Sequence, residues 1–347
     1  MVKATVMALA ALLALSALLL RLASGDDLSS VPNPAAGGGR AAQPAPVPPA
    51  IPGSGASASA QGQAAAQPVR SANQAAAPVL YTYKVVHEYV HDPDAFTQGL
   101  EYDTDCSSGA CKDVFWESTG MYGQSSVREV ELATGAVLRE KALAHADFGE
   151  GLVKVDGRLL QLTWKSGKAY WYQTGNFNVA QTTKTPLGDG WGATFDNATN
   201  SIVLSDGSPN LSFVDPSTLA LRRNVQVTDQ GSPVGNLNEL EAIDGEIWAN
   251  IWITDCIARV DPQSGVVKSW LVLDGLHTSL RAKNLAGSHP MDVLNGIAYD
   301  PATKRIFVTG KYWPRLYQIE PVLAAAQPTA EQLAQLRSKC ISPPMPQ

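Results

Sequence analysis

From residue 79 onward, apolar and polar residues alternate in short runs, the period-2 pattern of β-strands. One phrase introduces five of these runs, each time with a different polar or aromatic residue in front. The copies are Gln98-Gly99-Leu100, Glu150-Gly151-Leu152, Trp191-Gly192-Ala193, Asn238-Glu239-Leu240 and Asn295-Gly296-Ile297. An Asp follows each copy (Asp103, Asp156, Asp196, Asp244, Asp300) and is expected to form a turn. A second strand-like run then begins, as in Val114-Phe115-Trp116, Ile202-Val203-Leu204 and Ile306-Phe307-Val308. Successive runs start roughly 45 residues apart, with the last gap nearer 60, which is the period of propeller blades built from short strands. The predicted fold is therefore all-β: a five-bladed β-propeller. Tyr81 to Tyr89 also alternates and is expected to close the ring by pairing with the last blade, which hides sheet edges.

In a propeller, equivalent positions of the blades encircle one axis. Gln98, Glu150, Trp191, Asn238 and Asn295 should then meet at one mouth of the central channel. Trp164 lies at the end of the second strand of its repeat, Trp252 at the matching position of another, and Lys311 of a third. Antiparallel pairing brings strand ends of this kind beside the first ring. One carboxylate, three amides, three indoles and one ammonium on a single rim read as a site. Taken singly, an indole there reads as packing and Lys311 as a solvated charge; their shared phase argues otherwise. Arg128, Glu117 and Tyr122 are expected to serve structural hydrogen bonds.

The rest of the chain changes the picture at its ends. Residues 1–25 read as a secretory signal peptide or a signal-anchor. Lys3 supplies the positive start, and the apolar run Val6 to Leu20 is shorter than the about 20 residues of a spanning helix. Residues 26–78 are Ala, Pro, Gly, Ser and Gln with little charge, a stalk expected to stay disordered. Residues 79–321 hold the globular part, and 322–347 a tail with a short helix over Thr329 to Ser338. A membrane tether is expected only if the N-terminal segment is retained. The net charge of −6 and the lack of a Lys/Arg cluster argue against nucleic acid as a partner. A monomer is expected.

The four cysteines fit an oxidising compartment: the secretory route, with an extracellular, vacuolar or lumenal end point. Cys106 and Cys111 flank an insertion in the first repeat and are expected to pair locally. Cys256 and Cys340 would then tether the tail, although four cysteines allow three connectivities. Zinc is the rival reading, weakened by spacings that are not C-x2-C and by the absence of a nearby His in sequence. Asn197 and Asn210 begin glycosylation sequons.

These motifs together resemble the plant-type (papaya-like) glutaminyl-peptide cyclotransferases. The carriers are Phe96-Thr97-Gln98-Gly99-Leu100, Phe148-Gly149-Glu150-Gly151-Leu152, Leu162-Thr163-Trp164, Gly190-Trp191-Gly192, Leu237-Asn238-Glu239-Leu240-Glu241, Asn250-Ile251-Trp252 and Asn295-Gly296-Ile297. The segment Glu117 to Arg128 belongs with them, and the resemblance spans Tyr83 to Glu320. It implies Glu150 as the catalytic acid/base and substrate-binding roles for Phe96, Gln98, Phe148, Trp164, Trp191, Asn238, Trp252 and Lys311. Phe96 and Phe148 rest on the resemblance alone. The implied reaction turns the N-terminal Gln of a peptide or protein into pyroglutamate and releases ammonia. No cofactor and no metal are expected.

That chemistry asks for these residue types. A carboxylate can take a proton from the attacking amine and return it to the leaving nitrogen. Lys311, Gln98 or Asn238 could donate to the oxyanion that forms between the two steps. Aromatic faces exclude water, which should raise the Glu150 pKa. Two other readings stand beside this one. A calcium-dependent propeller hydrolase or lactonase would use several inward carboxylates, and a non-catalytic peptide-binding propeller would have no use for a buried Glu.

Overall fold

The computed structural model describes residues 76–106, 109–285 and 287–341. The readings of residues 1–25 and of nearly all of 26–78 lie outside these. The described chain is all-β apart from two short helices. Strand β1 (Val79–Val90) comes first. Three four-stranded antiparallel sheets follow in chain order. The first contains β2 (Thr97–Asp105), β3 (Lys112–Thr119), β4 (Ser126–Glu131) and β5 (Val137–Ala142). The second contains β6 (Gly149–Val155), β7 (Arg158–Thr163), β8 (Lys168–Gln173) and β9 (Val179–Lys184). The third contains β10 (Ala193–Asp196), β11 (Ser201–Leu204), β12 (Asn210–Val214) and β13 (Leu221–Gln226). A small ribbon, β14 (Thr228–Asp229) with β15 (Ser232–Pro233), leads onward.

The remaining strands form one eight-stranded sheet. Its first half is β16 (Leu237–Ile243), β17 (Glu246–Ile251), β18 (Cys256–Val260) and β19 (Val267–Val272). Its second half is β20 (Leu294–Asp300), β21 (Arg305–Gly310) and β22 (Arg315–Ala325). Strand β1 joins the halves. It runs antiparallel to β22 along most of its length and parallel to β19 over Val79 to Tyr81. Strand β22 runs to Ala325, past the boundary expected at residue 321.

The first strand of each unit lies innermost. Strand β2 packs beside β6 and β20, β6 beside β10, β10 beside β16, and β16 beside β20. The repeated glycines follow from that closeness. A Cβ on Gly151 would stand 2.6 Å from the Trp191 carbonyl oxygen, and one on Gly192 2.0 Å from that of Asn238. A real side chain cannot occupy either place, so the phrase keeps Gly where neighbouring inner strands meet. The fourth copy carries Glu239 instead. Its buried carboxylate accepts the backbone N–H groups of Ile297, at 2.8 Å, and Leu100, at 3.4 Å, bracing β16 to β20 and β2.

The turn aspartates behave as expected in most repeats. Asp156-Gly157 and Asp244-Gly245 have positive φ at both residues, the two-residue hairpin that suits right-twisted strands. Asp196 and Asp300 accept the backbone N–H two residues on. Asp103 departs: it also accepts from the Trp116 indole N–H at 2.8 Å and pairs with Lys154.

Cys106 pairs with Cys111, and Cys256 with Cys340, the connectivity expected from the sequence. The second bond anchors helix α2 (Ala330–Cys340) to β18; this helix is capped by Thr329 and buries Leu333, Leu336 and Cys340. Helix α1 (Leu276–Ala282) was not foreseen. It fills the longer gap before the fifth repeat and buries Leu276 and Leu280 against Trp313 and Tyr317.

Candidate active site

Four of the five inner strands are bulged where they carry their polar residue; β10, which follows Trp191, is not. The register between β2 and β3 shifts between Thr97 and Gly99, across Gln98. It shifts between Gly149 and Leu152 in β6, between Leu237 and Leu240 in β16, and between Leu294 and Ile297 in β20. A bulge breaks the pleat and re-aims a side chain. Here the four bulges hold Gln98, Glu150, Asn238 and Asn295, and all four are buried.

Three of these side chains form a chain of hydrogen bonds. Asn295 Nδ2 donates to Gln98 Oε1 at 3.1 Å and to the Thr97 carbonyl at 3.0 Å. Gln98 Nε2 in turn donates to Glu150 Oε1 at 3.0 Å. Because Asn295 fixes the oxygen of the Gln98 amide, its NH2 must face Glu150. One N–H of the Gln98 amide thus orients the carboxyl. Ser118 Oγ donates to the Glu150 carbonyl, which fixes the backbone as well. Asn238 Oδ1 is buried and has no hydrogen-bond partner among the described residues.

Burial raises the Glu150 pKa well above the ordinary 4.5; the charge of Lys311 opposes this and that of Asp189 adds to it. Burial also lowers the Lys311 pKa from 10.5, against the pull of Glu150 and Asp292. Desolvation thus outweighs the attraction between the two. Lys311 Nζ lies over the Phe96 ring, 4.9 Å from its centre.

The aromatic residues of the motifs form two clusters of rings, one of which meets Lys311 through Phe96. Phe96 meets Phe148 edge-on at 6.0 Å, and Phe148 lies 5.5 Å from Trp164. Trp191 meets Trp252 at 5.8 Å and 74°. Trp191 is held by Asp189, whose Oδ1 accepts its indole N–H at 3.2 Å. Trp164, Trp252 and Lys311 each begin the turn after a second strand. The next residue is left-handed in every case: Lys165 (φ 51), Ile253 (φ 63) and Tyr312 (φ 60). Met121 (φ 90) and Gly207 (φ 79) complete that series in the first and third repeats. A left-handed residue turns the chain back sharply, leaving the preceding side chain at the strand end.

Sequence reasoning missed three neighbours. Asp189 sits two residues before Trp191, in a Gly-Asp-Gly-Trp loop whose Asp reads as an ordinary turn former. Tyr312 packs at a tilt against Phe96, 5.0 Å between ring centres and 58° between planes, hidden by following Lys311. Among the described residues, Tyr122 makes no side-chain hydrogen bond, unlike the structural role expected of it. It lies 53% exposed, with its ring 5.4 Å from Phe148 and 6.4 Å from Trp164. Glu117 and Arg128 do hold the structural ion pair expected of them, at 2.9 Å.

The buried Glu150 carboxyl, electrostatically coupled to a buried ammonium and accompanied by aromatic rings, has the equipment for acid/base chemistry on a small uncharged group. Residues 56–321 match the family model described as glutamine cyclotransferase. The chain is 42% identical to a glutaminyl-peptide cyclotransferase of Arabidopsis thaliana over 244 residues, 70% of this chain and 72% of that protein. It is also similar to the crystal structure of Myxococcus xanthus glutaminyl cyclase, with a TM-score of 0.63 and 34% identity, over 71% of this chain and 99% of that one. The chain belongs to the glutamine cyclotransferase family.

Proposed function

We propose that this protein is a glutaminyl-peptide cyclotransferase, with Glu150 as its general acid/base and no metal in the reaction. The observation that carries the reading is the Glu150 carboxyl: buried, oriented by Gln98 and electrostatically coupled to Lys311. The α-amine of an N-terminal Gln attacks the carbon of its own side-chain amide. A C–N bond forms, the carbonyl oxygen becomes an oxyanion, and the amine proton passes to Glu150. Glu150 then gives that proton to the amide nitrogen, the old C–N bond breaks, and ammonia leaves. The carboxyl ends as it began, and one group serves both nitrogens because they share one tetrahedral carbon.

Lys311 provides positive charge for the oxyanion in a water-poor site, where charge acts strongly. Asn238 offers an unpartnered acceptor to a substrate N–H. Phe96, Phe148, Trp164, Trp191 and Trp252 hold the forming ring. Trp252→Ala should raise KM more than it lowers kcat, a split that steady-state kinetics on Gln peptides reads directly. The raised Glu150 pKa supports a carboxyl that holds its proton more tightly than an exposed one and can return it to the leaving nitrogen.

The five-bladed propeller reading belongs to this proposal. The cyclic order of the inner strands and the bridging place of β1 support it. We further assign residues 1–25 to targeting, 26–78 to a stalk, 79–321 to the catalytic domain and 322–347 to the tail. Two disulfides favour a secretory location. No helix among the described residues is long and apolar enough to cross a membrane.

The deciding experiment follows ammonia release from Gln dipeptides before and after exhaustive chelation. Undiminished release is expected. Loss on chelation that calcium or zinc restores would replace this reading with the metal-dependent hydrolase.

A further inference from the structure

We propose that Tyr122, resting on Phe148 and Trp164, forms the subsite for the side chain of the peptide's second residue and favours aromatic or large aliphatic groups there. This rests on the cyclotransferase reading and adds a substrate preference to it.

Among the described residues, no other Tyr, Trp or Phe is as exposed as Tyr122. A lone exposed ring needs no explanation, but this one is built into the mouth. Its ring meets the Phe148 ring at 5.4 Å and 75°, and Phe148 stands two residues before Glu150. The turn that carries it is fixed. Met121 takes a left-handed conformation at φ 90, and Gly123 another at φ 76. Ser125 Oγ donates to the Met121 carbonyl at 2.7 Å and accepts the Gly149 N–H at 2.9 Å, tying the turn to the start of the Glu150 strand. Gly120 leaves room for the arrangement, since a Cβ there would stand 2.3 Å from the Phe148 ring. A non-glycine residue held left-handed at a site rim stores strain that the surrounding structure must offset.

The substrate's geometry supplies the rest. With the Gln side chain and amine beside Glu150, the peptide must leave through the mouth. The second Cα lies about 3.8 Å from the first, so its side chain falls on the inner rim. Phe148 already packs against Tyr122 on that rim. A flat or branched apolar side chain laid there would cover ring surface now open to water, whereas glycine would leave it wet. Lys165, whose Nζ sits 4.4 Å from the Trp164 ring centre, occupies the neighbouring face and gives a basic side chain an unfavourable neighbour.

The test compares kcat/KM for Gln-Phe-amide, Gln-Leu-amide and Gln-Gly-amide on the full-length protein. Blocked C-termini keep Lys165 from reading a free carboxylate. The wild type should prefer Phe and Leu over Gly. Tyr122→Ala should shrink that preference about 3- to 10-fold, the range of an aromatic contact, while Tyr122→Phe should keep it. Tyr122→Gln serves as a second variant with a longer polar side chain, and should lose the preference too. An unchanged ratio in Tyr122→Ala and Tyr122→Gln, an equal fall for all three substrates, or loss of the ratio in Tyr122→Phe would overturn the subsite. If the wild type turns over none of the three amides, the cyclotransferase reading falls and takes the subsite with it.

Discussion

Replacing Glu150 with Gln should lower kcat by about 10² to 10⁴, the usual worth of a positioned acid/base group. The substitution keeps shape and one hydrogen bond, because an amide oxygen in place of Oε1 still accepts from Gln98 Nε2. What it removes is the proton. Stability should move the other way, and with a defined pH dependence. The folded pKa of Glu150 lies above its unfolded value, so its contribution is fully present at acid pH and is lost as pH rises through the folded pKa. Wild type and Glu150→Gln should therefore melt alike near pH 4. At pH 8 the wild type must bury a charge or take up a proton, and the variant should be the more stable. Ammonia release and thermal melts at the two pH values read both effects. Near-wild-type turnover in a folded Glu150→Gln protein would sink the mechanism.

Arg128→Ala should destabilise the domain by about 3–5 kcal/mol, because it leaves a buried carboxylate without its main partner. Glu117 is 1% exposed and sits in a closed cluster. It accepts from Arg128 Nε at 2.9 Å and Thr97 Oγ1 at 2.6 Å, and meets His91 Nε2 at 3.0 Å. Arg128 also reaches Asp92 at 2.7 Å. Burial alone would raise the Glu117 carboxyl, but Arg128 and His91 more than offset it and hold it well below the carboxylate range. The contribution is thus present above the ordinary carboxylate pKa and lost only as pH falls into strong acid. For a domain of this size the loss corresponds to a Tm drop of about 6–20 °C. Arg128→Lys should not restore it, since an ammonium cannot present the two-pronged donor geometry. Thr97 precedes Gln98, so loosening this cluster also loosens the residue that orients Glu150. A melt within about 2 °C of wild type would show that the cluster is not structural.

The repeated phrase carried most of the site because it marks a physical constraint. Glycine is needed where inner strands touch, and the first residue of four of the five copies sits on a bulge. Alignment by that phrase brought out Gln98, Glu150, Trp191 and Asn238, and the structure groups Gln98, Glu150 and Asn295 by direct hydrogen bonds. Trp164 and Trp252 were legible from their common distance of thirteen residues to the phrase, and Lys311 from the end of the matching strand, fifteen residues on. Asp189 and Tyr312 were not, because each lies beside a more conspicuous neighbour and its role depends on ring contacts that no spacing encodes. Tyr122 misled for a related reason: its turn is fixed by Ser125 and Gly149, and only the resulting direction of the chain shows that its ring faces outward. Helix α1 was invisible because seven residues are too few for an amphipathic period to stand out. The length of β22 was obscured by Pro321, which lies beyond the residues that pair with β21 and so costs no ladder bond there.

The place of β1 has a consequence for biosynthesis. It is the earliest strand of the domain to leave the ribosome, yet its main partner, β22, is the latest. Lys84 and Glu320, which face each other across that pairing, are 236 residues apart in the chain. Until β22 is made, β1 has only the three-residue contact with β19 to hold it. Sheets can assemble one by one during translation, but the final join waits for the whole polypeptide. Such distant pairing is slow, and the waiting edges of β1 and β21 are open to wrong partners. Synthesis should therefore pass through a long-lived, incomplete state that demands chaperone protection, and a ribosome stalled a few residues short of β22 should leave a product that cannot mature.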